Sequence, residues 1–227
     1  MSQADAPYIE AKVRIDGGSQ LSPGAWGTAR IQGYYYNESS GPGSGQDYDA
    51  YEGNVFAQMA LQYFSDGTLR AYASVARSND AIESSFTGLF EHQFSTQILL
   101  DTDYILSIMF EDNRLTFSCG GENKTYHIQS QIYPAYREHR HLRSRVILTS
   151  GQSGYIRTAF DEVYVGFPKG DINFDKKVSL SDAILALQVA AGIPAAEQIF
   201  IEADLSSDNR IGLEEVLFIM QKLSTLR

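Results

Sequence analysis

Over the first 166 residues, apolar positions recur with a period of two and are punctuated by turn clusters. In the run Ala57-Gln58-Met59-Ala60-Leu61-Gln62-Tyr63-Phe64 the odd positions are apolar, while Gln58 and Gln62 fall on the opposite face. That alternation is the mark of a half-buried strand. The same reading predicts strands over 8–15, 25–37, 54–65, 69–76, 84–94, 104–110, 114–118, 124–129, 143–148 and 155–165. Ser65-Asp66-Gly67, Glu111-Asp112-Asn113 and Gly120-Gly121-Glu122-Asn123 supply hairpin turns between them. Many strands with no intervening helix predict a mainly β fold, an antiparallel β-sandwich or jelly roll. The Gly-, Ser- and Asp-rich stretch 38–52 is too polar for a strand and reads as a long loop, where sandwich ligands often bind.

At Gly166-Phe167-Pro168-Lys169-Gly170 the texture changes, and a helical period replaces the alternation. We place a domain boundary there, with a β-sandwich over 1–166 and a small all-α module over 170–227. The second segment repeats itself. Asp171-Ile172-Asn173-Phe174-Asp175-Lys176-Lys177-Val178-Ser179-Leu180-Ser181-Asp182 lies over Asp204-Leu205-Ser206-Ser207-Asp208-Asn209-Arg210-Ile211-Gly212-Leu213-Glu214-Glu215 at an offset of 33 residues. Oxygen-bearing side chains stand at positions 1, 3, 5 and 12 of both copies. A twelve-residue loop with that spacing can wrap Ca2+, a hard cation that takes six to eight oxygens.

Two ions are therefore expected. The first site is assigned to Asp171, Asn173, Asp175 and Asp182, with the carbonyl of Lys177 and with Ser179 acting through a water. The second is assigned to Asp204, Ser206, Asp208 and Glu215, with the carbonyl of Arg210. Position 6 calls for a left-handed residue and holds Lys176 and Asn209; Asn tolerates that conformation better than Lys. Val178 and Ile211, apolar at position 8 of each copy, are expected to pair as a short β-bridge. Helices are predicted over 182–191 and 215–223, apolar nearly all round and so packed on each other.

These motifs carry a resemblance. The segment 170–227 resembles bacterial dockerin modules, which have two EF-hand-type calcium loops each followed by a helix. The likeness is clearest at Gly170-Asp171-Ile172-Asn173 and Ser181-Asp182-Ala183-Ile184-Leu185. The resemblance implies a secreted or cell-surface protein whose module docks a cohesin-type partner. Positions 10 and 11 are Leu180-Ser181 and Leu213-Glu214 in place of the hydroxyl pair usual in cellulosomal dockerins, so docking and a purely stabilising role both stay open. The strand count and the pairs 104–108 and 114–118 resemble the concanavalin A-like, laminin-G-like jelly roll. That likeness implies glycan or protein binding and, in some members, glycoside hydrolysis.

Composition narrows the choice. The formal net charge of −10 argues against a nucleic-acid partner. No apolar run approaches the roughly 20 residues of a membrane span. Cys119 is the single cysteine, which excludes an intrachain disulfide and a Cys-based zinc cluster. Residues 1–7 show neither the basic nor the apolar region of a signal peptide. A glycoside hydrolase needs two carboxylates about 5 Å or about 6.5–9.5 Å apart. Asp101-Thr102-Asp103 and Asp161-Glu162 are the nearest clusters and read as turn or strand-edge features.

A non-catalytic, carbohydrate-binding sandwich is therefore preferred over a secreted carbohydrate-active enzyme of glycoside hydrolase type. Trp26, Tyr34, Tyr35 and Tyr36 are the candidates to stack on sugar rings, with Tyr48 and Tyr51 nearby. The basic run from Arg137 to Arg145 admits three readings: a site for sulfated or acidic sugars, a metal site through His139 and His141, or a solvated strand edge.

Overall fold

The computed structural model describes residues 7–38, 50–111, 113–136, 139–175, 177–195, 197–205 and 208–224. Most of the expected loop 38–52, together with Tyr48, Lys176 and Ser206, lies outside the described residues. The chain divides into two compact units, Met1–Val165 and Gly166–Arg227.

The first unit holds β1 (Tyr8–Ile15), β2 (Gln20–Leu21), β3 (Trp26–Asn37), β4 (Asn54–Phe64), β5 (Leu69–Ser78) and β6 (Phe86–Gln93). It continues with β7 (Tyr104–Glu111), β8 (Arg114–Cys119), β9 (Glu122–His127), β10 (His139–Ile147), β11 (Gly154–Tyr155) and β12 (Thr158–Gly166). One five-stranded sheet runs β12-β1-β7-β8-β9 and the other β10-β3-β4-β5-β6, with a small β11-β2 ribbon. Apolar residues of both sheets, among them Ile9, Val13, Ile31, Met59, Ile108 and Phe117, form one buried core. The architecture is an antiparallel β-sandwich. Cys119 sits in that core, where burial pushes its thiol up to about 12.

Three departures from expectation have local causes. The strand expected over 143–148 begins at His139, because β10 pairs along β3 from His139↔Tyr34 to Ile147↔Trp26. Its charged residues fall on both faces, so no period of two was legible there. The strand expected over 155–165 is broken into β11 and β12. Within β3 the register with β4 shifts between Tyr34 and Tyr36. A bulge of this kind reverses side-chain parity, so Tyr35 and Tyr36 both join the core while Tyr34 faces the other way.

Gly33 is required by close approach: a Cβ there would lie 2.2 Å from the carbonyl oxygen of His139 and 2.9 Å from Cδ of Arg140. Only a residue without a side chain lets β10 lie this close against β3.

In the second unit, α1 (Leu180–Ala190) and α2 (Leu213–Ser224) flank a short 3₁₀ turn at Ile201–Ala203. Ser179 caps α1 in a capping box with Asp182. Ile172, Ala183, Leu185, Ala186, Ile211 and Ile219 are buried between them. Gly170, at φ 87, passes Ile219 and Phe218 so closely that a Cβ would meet them at 3.0 and 3.2 Å. No β-bridge joins Val178 and Ile211; both pack sideways into this core instead.

Candidate functional site

The outward face of the β10-β3-β4-β5-β6 sheet carries a cleft of about 530 Å³. Strand pairing assembles it. Tyr34 lies beside His139 and Phe56, Gln32 beside His141 and Gln58, and Arg30 beside Arg143. With period-two geometry these residues share one face, although they come from segments more than a hundred residues apart.

One end of the cleft is aromatic. The Tyr34 ring packs against Tyr51 at 5.5 Å, Phe56 at 5.6 Å and His139 at 5.3 Å. Phe86 also lines this end and is 44% exposed. Burial, reinforced by the Glu83 carboxylate, raises the Tyr34 hydroxyl far above its ordinary value and keeps it neutral. Glu83 itself sits at φ 59, a left-handed conformation unusual for a residue with a side chain. The loop before β6 holds it there. Asp80 accepts hydrogen bonds from the N–H groups of Ile82 at 3.0 Å, Ser84 at 2.9 Å and Ser85 at 3.0 Å. Glu83 is the only carboxylate among the described residues lining the cleft.

The middle of the cleft is polar. Arg30 donates to Gln58, and Gln58 donates to Ser74 at 2.9 Å, a ladder across β3, β4 and β5. Gln32 contacts His141 through its side-chain nitrogen. Burial, then repulsion from Arg143 and Arg145, lowers the Arg30 guanidinium to about 10. Burial, then His139, Arg143 and Arg30, lowers His141 to about 4, so it is neutral at neutral pH. Three buried polar atoms on this face of β3 have no hydrogen-bond partner among the described residues: Thr28 Oγ1, Arg30 Nε and Gln32 Oε1. Gln32 is only 2% exposed, so its orphaned oxygen is costly unless something in the cleft donates to it.

The aromatic candidates separate. Tyr34 lines the cleft and Tyr51 joins it. Trp26 lies on the same sheet face but at its far end, stacked on Phe64 at 5.9 Å, and does not line the cleft. Tyr35 and Tyr36 are 1% exposed in the core and are corrected as ligand contacts. Arg140 covers the Tyr35 ring at 3.7 Å, and burial pushes the Tyr35 hydroxyl up to about 12. Arg30, Gln32, Gln58, Ser74, Glu83 and Phe86 were not singled out from sequence. The alternation that set Gln58 opposite the apolar positions was their one legible sign.

The second unit shows a matched pair of loops. The Asp182 carboxylate accepts from the N–H of Ile172 at 2.8 Å and of Ser179 at 2.8 Å. At the same places of the second copy, Glu215 accepts from Leu205 at 3.1 Å and Gly212 at 2.6 Å. Position 5 accepts from position 7 in both, Asp175 from Lys177 at 2.8 Å and Asp208 from Arg210 at 2.9 Å. Position 1 also serves each loop: Asp171 accepts from the N–H of Asp175 and Asp204 from that of Asn209. Asn209 is left-handed at φ 60; in the first loop Phe174 is, at φ 57, its ring stacked between Phe167 and Phe200 at 4.2 Å each. Ser179 serves as the helix cap, and Asn173 donates to Glu197 at 2.9 Å.

Among the described residues no three His, Cys, Asp or Glu side chains converge into a ready metal cluster. Asp182 and Glu215 are nonetheless buried, at 0% and 1% exposure, and take part in none of the described ion pairs. The helices are also less enclosed than their composition predicts. Leu180, Ile184 and Leu187 on α1, and Leu213, Leu217 and Met220 on α2, form exposed apolar stripes at the same 33-residue offset.

No protein-family model matches the sequence, and no curated protein does. Among solved structures the chain is similar to the carbohydrate binding module CBM66 from Bacillus subtilis, with 12% identity and a TM-score of 0.34 over 71% of this chain and 75% of that one. It is similar to a prokaryotic beta-1,3-1,4-glucanase (lichenase) derived from a mouse hindgut metagenome, with 10% identity and a TM-score of 0.42 over 71% and 66%. It is also similar to the CBM2 module of the evolved Dit of Lactobacillus casei BL23 phage J-1, with 14% identity and a TM-score of 0.36 over 70% and 62%. The chain spans just under two thirds of the length of these last two.

Proposed function

We propose that the sandwich is a non-catalytic carbohydrate-binding module and that its ligand lies in the cleft of the β10-β3-β4-β5-β6 sheet. The observation that carries this reading is the pairing of an aromatic end, at Tyr34, Tyr51 and Phe86, with orphaned buried polar atoms at Arg30 and Gln32, both of which line the cleft. A sugar ring presents CH faces to aromatics and hydroxyls, each donor and acceptor, to such groups. Turnover is disfavoured because hydrolysis uses two carboxylates, and Glu83 stands alone among the described lining residues. A glycan microarray with the full chain, followed by a reducing-sugar assay on every hit, tests this. Binding without released sugar supports it, and release of sugar restores the secreted-enzyme alternative.

The C-terminal unit is read as a calcium-stabilised module. The donor set fits: each loop brings three carboxylates and otherwise neutral oxygens, and a buried carboxylate without a cationic partner is costly. Asp171, Asn173, Asp175, Ser179, Asp182 and the Lys177 carbonyl would hold one Ca2+. Asp204, Ser206, Asp208, Glu215 and the Arg210 carbonyl would hold the other. When bound, the ion would neutralise the buried carboxylates and tie loop to helix. The repeated apolar stripes on α1 and α2 favour docking of a protein partner of cohesin type over a purely stabilising role. A secreted or cell-surface setting goes with this reading. Calorimetry with calcium, before and after chelation, tests it.

A further inference from the structure

We propose that the saccharide held in the cleft is acidic, its carboxylate or sulfate group bound by Arg30, Arg143 and Arg145. This rests on the carbohydrate-binding reading and deepens it. Three guanidinium groups line one small cleft of a chain whose net charge is −10. None of the three takes part in an ion pair among the described residues. Arg143 stands beside Arg30 in register, so the two like charges are neighbours on one face of the sheet. An arrangement of this kind is unfavourable alone and is relieved by a bound anion.

The uncharged groups decide which anion. Gln32 Oε1 is an acceptor, buried and without a partner among the described residues, which a hydroxyl of the ligand would satisfy. An inorganic sulfate ion has none to give. A neutral sugar supplies the hydroxyl but leaves the guanidinium charges unmatched. A sugar ring bearing an acidic group satisfies both and sets its CH face against the half-exposed ring of Phe86. The Glu83 carboxylate, at the aromatic end with Tyr34, repels the acidic group and so orients the ring with that group toward the arginines.

The experiment is titration calorimetry of the full chain with four probes: tetragalacturonate, its methyl ester, a chondroitin sulfate tetrasaccharide and cellotetraose. Each is run at low and high salt, and with Arg143→Gln and Arg145→Gln. Both side chains are exposed, so neither substitution disturbs the core. The proposal expects at least one acidic probe to bind, to weaken with salt, and to lose roughly tenfold in affinity with each variant. Tetragalacturonate binding that its methyl ester lacks assigns a carboxylate; chondroitin sulfate binding that chemical desulfation of the probe abolishes assigns a sulfate. Failure of both acidic probes while cellotetraose binds, or binding indifferent to salt and to both variants, overturns the acidic assignment and leaves the glycan site standing. If no probe binds and the microarray is also blank, both readings fall.

Discussion

The cleft of the sandwich and the loop repeat of the C-terminal unit present chemistry in opposite ways. In the loops, every donor proposed for one ion lies within twelve consecutive residues, and the backbone N–H groups that orient the carboxylates come from the same twelve. In the cleft, Arg30, Gln58, Ser74 and His141 meet only because four strands pair in one register. Local chemistry of the first kind survives as a sequence motif. Chemistry of the second kind depends on tertiary register, and a one-residue slip would send every side chain to the other face.

The largest expected effect sharpens this contrast through the ion. If calcium binds only the folded form, removing it from a hundredfold excess over its Kd lowers stability by about 2.7 kcal/mol. Helical circular dichroism of the full chain, with and without chelator, reads that change in the C-terminal unit. Fluorescence of Trp26 reads the sandwich as reference. Glu215→Gln is expected to abolish much of the calcium effect on the helical signal. Equal shifts in both signals would break the contrast.

Next comes the register itself. Gly33→Ala forces a Cβ against the His139 carbonyl and is expected to cost roughly 1–3 kcal/mol in a urea melt, because the strain falls on paired backbone. It displaces β10 and should weaken glycan binding even though residue 33 does not line the cleft. Phe86→Ala removes a half-exposed ring from the aromatic end and is expected to weaken binding by about 1 kcal/mol, roughly fivefold, with stability nearly unchanged. Calorimetry with the strongest microarray glycan measures both.

The smallest effect is electrostatic. Folding lowers His141 from its ordinary value of 6.5 to about 4, so between those values the unfolded chain binds more protons. Stability is therefore full above about pH 6.5 and declines as pH falls toward 4. His141→Gln should flatten this part of the melting-temperature profile. The gain is modest because the ring is partly solvated.

How much was legible in the sequence follows the same division. Alternation in Ala57–Phe64 marked the inner and outer faces of β4, and the repeat placed both helices to within two residues of their observed starts. Of the three tyrosines named as stacking candidates only Tyr34 reaches the cleft, because a bulge between Tyr34 and Tyr36 leaves both Tyr35 and Tyr36 in the core. The basic run from His139 hid a strand because charges on both faces erase the period of two. His141, Arg143 and Arg145 reach the cleft only through pairing with a strand a hundred residues earlier. The exposed stripes of Leu180, Ile184 and Leu187 were masked by composition, since a helix apolar on most sides does not declare which side stays outside.

The central claim is that sugar binds on the outward face of the β10-β3-β4-β5-β6 sheet. Backbone amide chemical shifts of the isotope-labelled full chain, followed while the strongest microarray glycan is added, test it most directly. Saturable shifts concentrated at Arg30, Gln32, Gln58, Ser74, Phe86 and Arg143 are expected. Shifts confined to the β12-β1-β7-β8-β9 sheet or to the helices would contradict it.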